Sequence, residues 1–259
     1  MKKETRKLKT VRVRGLVIGE GMPKICVPVG GADGEGVLEE VTMAAGSNAD
    51  IIEWRADFFQ EHAADVFCGI LPELRNGAGE MPLMFACRSR SEGGRAELEP
   101  DDCARLLLAI IETGCVDMVD IELSLGDRRV RRLVDAAHGA GLTVVVSCHD
   151  VLRTPPGDEL VKLFRRMRDA GADIPKLAVR QHSFNDVLTL LAATDEFVRH
   201  AACPVVSMSM SGAGAVSRLL GEVCGSSITY GSMRCAQPGG GSLAVDDLRA
   251  ILDILDRKN

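Results

Sequence analysis

Residues 143–179 read TVVVSCHDVLRTPPGDELVKLFRRMRDAGADIPKLAV: a short apolar run, an amphipathic stretch and a second short apolar run. The first run, Thr143 to His149, is Val-rich and nearly continuous in hydrophobicity, which suits a parallel strand buried on both faces. Asp158 to Ala170 carries a helical pattern that opens on acidic residues and stops at Gly171, the expected caps of a helix. Ile174 to Val179 is again strand-like. A strand, a helix and a strand in this order form a crossover unit, and crossover units build parallel sheets.

The same alternation runs about eight times along the chain. The other apolar runs are Lys24 to Val29, Asp50 to Arg55, Leu83 to Arg88, Asp117 to Leu123, Pro204 to Met210 and Ser227 to Gly231. Helical patterns open at Asp101-Asp102 and close at Gly114, and span Asp127 to His138, Phe184 to His200 and Val245 to Leu255. Eight units in 259 residues match the ~250 of a (β/α)₈ TIM barrel, so one α/β barrel domain over residues 1–259 is expected. An open doubly wound sheet is the alternative. It is weakened because no G-x-G-x-x-G turn follows the first run; Gly30 to Gly34 is glycine-rich without that spacing and reads as a turn. Val11 to Ile18 precedes the first unit and is expected as a hairpin across the barrel floor. Residues 1–10 are expected as a flexible tail.

Composition excludes several classes. Net charge is -6, and aromatics make up 3%, with one Trp and one Tyr. That disfavours nucleic-acid and acidic-membrane partners, which need a basic face or stacking rings. No stretch has the ~20 apolar residues of a membrane span, and no signal-peptide core follows the basic start. The nine cysteines are scattered singly, without C-x-x-C or zinc-finger spacing, so free thiols in a reducing cytoplasm are expected. Cys26, Cys87 and Cys203 lie in apolar runs and read as small core residues.

Barrel active sites sit where strands end. The polar residues at those ends are Glu53, Arg55 and Asp57; Arg88 with Glu92; Asp120 and Glu122; Ser147, His149 and Asp150; Lys176; and Ser207, with Arg218 just beyond. Residues two apart share a face, so Glu53, Arg55 and Asp57 point together, as do Val145, Ser147 and His149. If that face is the interior, charges converge above an apolar floor. Lys176 lies in an otherwise apolar strand. Its bland reading is a surface lysine at a strand start, but the company of His149 favours chemistry. An ordinary lysine is protonated at neutral pH; burial and nearby cations are expected to depress its pKa and free a nucleophilic amine. His149, with Glu92 or Asp120 as partner, suits acid/base work, whereas His62, His138, His182 and His200 read as surface. Arg55, Arg88 and Arg218 suit a carboxylate and hydroxyls, or else structural ion pairs with groups such as Glu53. Met208 and Met210 read as pocket walls.

Glu53-Trp54-Arg55-Ala56-Asp57, Arg88 with Glu92-Gly93-Gly94, Ser147-Cys148-His149-Asp150, Pro175-Lys176-Leu177-Ala178-Val179 and Met208-Ser209-Met210 with Ser217-Arg218-Leu219 resemble the motifs of type I 3-dehydroquinate dehydratases, in the family's order. The resemblance implies a barrel, a cytoplasmic homodimer of the shikimate pathway, and conversion of 3-dehydroquinate to 3-dehydroshikimate through a lysine Schiff base, with no metal or organic cofactor. It implies Lys176 as the Schiff-base lysine, His149 as general acid/base, and Glu92 as the residue that assists or orients it. Glu53, Arg55, Arg88 and Arg218 would contact substrate. One loop departs: where the family often has Ser-Ala-Pro-Gly-Gln, this chain has Cys235-Ala236-Gln237-Pro238-Gly239-Gly240-Gly241-Ser242, so Gln237 or Ser242 would have to substitute for the lid contacts. A class I aldolase-like barrel and a non-catalytic ligand-binding homologue are the competing expectations.

Overall fold

The computed structural model describes residues 10–201, 203–210, 212–233 and 243–256; Gln237, Ser242 and residues 1–9 of the expected tail lie outside these. An antiparallel hairpin comes first, β1 (Val11–Val13) and β2 (Leu16–Ile18), with Val11 opposite Ile18. Eight strands follow where the apolar runs place them: β3 (Lys24–Val29), β4 (Ile51–Arg55), β5 (Leu83–Ala86), β6 (Met118–Glu122), β7 (Thr143–Asp150), β8 (Ile174–Arg180), β9 (Val206–Met210) and β10 (Ile228–Ser232). They pair in parallel in sequence order from β3 to β9, and β10 returns to pair with β3. A parallel bridge between Val205 and Ser226 joins the two ends, with the Ser227 amide donating to the Val205 carbonyl at 2.7 Å. The sheet is therefore closed into a (β/α)₈ barrel. A short β11 (Leu243–Ala244) continues the pairing outside β10.

The helices are α1 (Gly34–Ala45), α2 (Ala64–Ala78), α3 (Pro100–Glu112), α4 (Asp127–Gly139), α5 (Gly157–Asp169), α6 (Phe184–His200), α7 (Ala215–Leu219), α8 (Gly221–Cys224) and α9 (Val245–Asp256). The first two have no clear outline in the sequence. Asp33, at the end of the glycine-rich turn, caps α1 by accepting from the Gly36 amide at 2.9 Å. The pattern of α2 is broken by Gly69, Pro72 and Gly77, residues that each cost helix propensity; burial of Phe67, Leu71 and Leu74 holds it nonetheless. The boundaries of α6 are those expected, because Ser183 and Asp186 form a reciprocal capping box.

Strand alternation separates two cores. Outward residues such as Ile25, Ile52, Trp54, Phe85, Val144, Val146 and Leu177 pack under the helices. Inward residues Cys26, Ile51, Met84, Met118, Val145, Ile174, Val206 and Ile228 form a second cluster with Val13 and Ile18 of the hairpin. The hairpin thus closes the floor, and the barrel interior below the site is apolar. Cys26 and Cys87 are buried as expected; Cys203 is only partly so. Among the described residues no helix is long and apolar enough to cross a membrane.

Candidate active site

Above the apolar floor, three of the next inward positions are charged: Glu53, Asp120 and Lys176. In the β7–β8 register Ser147 faces Lys176 and His149 faces Ala178, so the lysine and the imidazole stand on neighbouring strands. Lys176 is 3% exposed. Its Nζ donates to Glu53 Oε1 at 2.8 Å and to Asp120 Oδ2 at 2.9 Å. The bland alternative, a surface lysine, is excluded by this burial.

The expected cause of Lys176 activation is corrected by the geometry. Burial does favour the neutral amine, and Arg88 adds to that, but the carboxylates of Asp120 and Glu53 outweigh both and raise its pKa above the ordinary lysine value. The resting side chain is an ammonium. Two carboxylates in direct contact win over one guanidinium because Coulomb attraction grows as separation and local dielectric fall.

Arg88 organises the acidic side of the mouth. One terminal nitrogen donates to Glu122 Oε1 at 2.8 Å and Ser147 Oγ at 2.9 Å; the other donates to Asp120 Oδ2 at 2.9 Å. Ser147 Oγ donates in turn to Asp120 Oδ1 at 2.5 Å. Contact with these carboxylates holds Arg88 firmly protonated despite burial, and Arg88, then Lys176, hold Asp120 well below the carboxylate range despite its own burial. Arg88 therefore carries the structural reading at least as strongly as the substrate-binding one. It lies two residues past the end of β5, short of the run expected to Arg88. Its amide has turned to Asp57 Oδ1 at 3.2 Å, and its carbonyl accepts from the Ala96 amide at 3.1 Å.

His149 sits at the rim of this network. Glu92 Oε2 accepts from the His149 backbone amide at 3.0 Å and lies 2.9 Å from its Nδ1. Since that oxygen already accepts from an amide, the arrangement assigns the proton to Nδ1 and leaves Nε2 with a free lone pair. Burial, then Arg88 and Lys176, depress His149 well below the ordinary imidazole value, so it rests neutral. Burial and the neighbouring Glu122 push Glu92 up to about 7. Of the two expected partners for His149, the structure supplies Glu92.

Glu92 is brought inward by the turn after Arg88. Gly93 closes it at φ +86, and a Cβ on Gly94 would stand 2.1 Å from the Arg88 carbonyl oxygen, so the glycine pair is required by close approach.

Arg55 spends Nε and one terminal nitrogen on Asp57, at 2.7 and 2.9 Å, and lies over the Phe58 ring. Asp57 does not face the mouth beside Glu53 as alternation implied. The chain turns into a short 3-10 segment at Ala56–Phe58, and Asp57 clamps Arg55 and the amides of Arg88 and Arg95. Arg218 lies on α7, half-buried, and burial lowers its pKa. Met208 borders the inner cluster. His138, His182 and His200 are exposed; His62 is half-buried beside the Asp57 carbonyl. A cleft of about 310 Å³ lies away from the mouth between α3 and α4, lined in part by Asp101, Arg105 and Arg129.

Two neighbours of Lys176 went unassigned in the sequence. Asp120 was visible as a strand carboxylate but not as the lysine's partner. Tyr230, whose ring lies under Nζ, was missed altogether. Its signal was parity with Ile228, two residues earlier on the interior face of β10.

A profile of type I 3-dehydroquinase matches residues 25–259. A 3-dehydroquinate dehydratase of Bacillus licheniformis is 41% identical over 251 residues, 96% of this chain and 98% of the relative. One from Syntrophotalea carbinolica is 44% identical over 250 residues, 95% and 98% of the two chains. Among solved structures, the type I 3-dehydroquinate dehydratase of Clostridium difficile superposes with TM-score 0.94 at 38% identity, covering 98% of this chain and 100% of the other.

Proposed function

The chain belongs to the type I 3-dehydroquinase family, and from that premise we propose that it dehydrates 3-dehydroquinate with Lys176 as the imine-forming residue and His149 as the proton carrier. The observation that carries the assignment is the placement of Nζ inside the barrel mouth, on the strand next to a neutral imidazole whose free nitrogen is unprotonated.

The ammonium of Lys176 first gives up a proton along one of its two hydrogen bonds, to Glu53 or Asp120. The amine adds to the C3 ketone, and the carbinolamine loses water to a protonated imine, which draws electrons from the adjacent C2–H bond. His149 Nε2 takes the C2 proton. The enamine expels the C1 hydroxyl, His149 returns the proton to it, and imine hydrolysis releases 3-dehydroshikimate and the lysine. Glu92 holds the imidazole in the tautomer this needs and stabilises the imidazolium between the two transfers. Arg55 and Arg218 hold the substrate carboxylate and hydroxyls and turn binding energy into orientation, while Arg88 keeps the carboxylates of the mouth in place. Glu53 orders the lysine and borders the substrate. Gln237 remains a proposed lid contact.

We further propose a cytoplasmic homodimer with the whole chain acting as one domain. Exposed Leu152, Phe184 and Leu188 support self-association: the latter two are one turn apart on α6, and His182 Nε2 meets the Leu152 carbonyl at 2.7 Å. Light scattering after gel filtration tests it. The chemistry is tested by borohydride reduction in the presence of product, with the adduct located by mass spectrometry. Capture on Lys176, together with formation of the conjugated enone in an absorbance assay, is expected; full activity of Lys176→Ala would overturn the assignment.

A further inference from the structure

We infer that the ring of Tyr230 is an electrostatic platform that holds the positive charge on the Lys176 nitrogen while it changes from ammonium to iminium. The inference rests on Lys176 forming the imine. Nζ lies over the face of the Tyr230 ring, 4.7 Å from its centroid, inside the ~6 Å range of a cation–π contact. The side chain is the only tyrosine in the chain. It stands on β10 in register with Cys26 of β3, and its hydroxyl pairs with the Cys26 thiol and lies 3.5 Å from Glu53 Oε1. These contacts at the hydroxyl end leave the ring face to the lysine.

Donor counting shows what the ring adds. An ammonium has three N–H groups, and two of them bind Glu53 and Asp120. Condensation with a ketone replaces two N–H bonds by the C=N bond, so the iminium retains one. At least one carboxylate contact is therefore lost as the imine forms. Attraction to the ring face depends on charge and distance, not on the number of N–H groups. It survives the step, and it favours the cationic iminium over the neutral carbinolamine that precedes it. Asp120 keeps Arg88 and Ser147 throughout. Burial, then Cys26 and Glu53, hold the phenol neutral, so the ring acts through its quadrupole.

The test compares wild type, Tyr230→Phe, Tyr230→Leu, and phenylalanines carrying one, three and five ring fluorines inserted at position 230. The readouts are the ratio of iminium to carbinolamine on Lys176 in the presence of product, from native mass spectrometry (the two differ by one water) with borohydride capture marking the iminium, and kcat. Tyr230→Phe is expected within about twofold of wild type, and Tyr230→Leu about ten- to thirtyfold lower in this ratio, as a desolvated cation–π contact implies. The ratio is expected to fall stepwise with fluorine number, since fluorination weakens and then inverts the quadrupole while nearly preserving ring shape. Should Tyr230→Leu unfold, the fluorinated series decides. A flat fluorine series, or Tyr230→Leu with the wild-type ratio of iminium to carbinolamine, overturns the inference alone. Absence of any Lys176 adduct in wild type overturns the imine assignment and this inference with it.

Discussion

Replacing Lys176 by Met removes one of the two principal cations from a nest of buried carboxylates, and the two partners it leaves are not equally exposed to the loss. Asp120 retains Arg88 at 2.9 Å and Ser147 at 2.5 Å. Glu53, 2% exposed, retains among described residues only the long contact from the Tyr230 hydroxyl at 3.5 Å. Stranding a buried charge costs about 3–5 kcal/mol, which for a chain of this size lowers Tm by roughly 6–20 °C at ~2–4 °C per kcal/mol. Lys176→Met is expected to melt in that range below wild type at pH 8. The double variant Lys176→Met with Glu53→Gln is expected to recover most of the deficit without recovering activity. In wild type the lysine's contribution is fully present at this pH: a group with a raised pKa contributes fully below its unfolded value of ~10.4 and loses the contribution only above it. Thermal melts of the four combinations at pH 8 form the assay. A Lys176→Met protein as stable as wild type at pH 8, or one not rescued by Glu53→Gln, would refute the account of the cage.

His149→Gln is expected to lower kcat by about 10²–10⁴, the usual span for a general acid/base, while borohydride still captures Lys176; loss of capture would show that the imidazole acts earlier than proposed. Glu92, raised to about 7, stabilises the fold fully below its unfolded pKa of ~4.3 and loses that share as pH rises through 7. Glu92→Gln should therefore flatten the decline in Tm between pH 5 and 8 and remove an inflection near pH 7 from the rate profile, and an unchanged profile would separate Glu92 from His149. Asp57→Asn weakens the clamp on Arg55 and on the Arg88 and Arg95 amides; a loss of about 1–3 kcal/mol and a raised KM with smaller change in kcat are expected in denaturation and steady-state assays. Gly94→Ala forces a Cβ against the Arg88 carbonyl and is expected to cut activity through the misplaced Glu92, which crystallography or the same pH profile would detect.

Period and punctuation were enough to place eight strands and most helices, because a strand buried on both faces must be apolar throughout and a surface helix must be apolar on one side. The same logic singled out Lys176, a charge where the pattern demands none, and His149 at the end of the most hydrophobic strand. It did not outline α2, whose Gly69, Pro72 and Gly77 argue locally against a helix that tertiary burial then stabilises. Nor did alternation carry past the strand end to Asp57, where the chain turns and the two-residue rule no longer applies. The protonation state of Lys176 was misread for a related reason. Sequence shows that a lysine is buried, which lowers its pKa, but not that Asp120, 56 residues away in the chain, and Glu53, 123 residues away, each lie within 2.9 Å of its nitrogen. The amino-acid order by itself determined the barrel and the family and singled out the side chains proposed to react, since those follow from local pattern and residue type. Only the closed tertiary structure decided their charge states and the ring beneath the lysine. Electrostatic energies depend on a few ångströms of separation between groups that the chain brings together from opposite ends of the sequence.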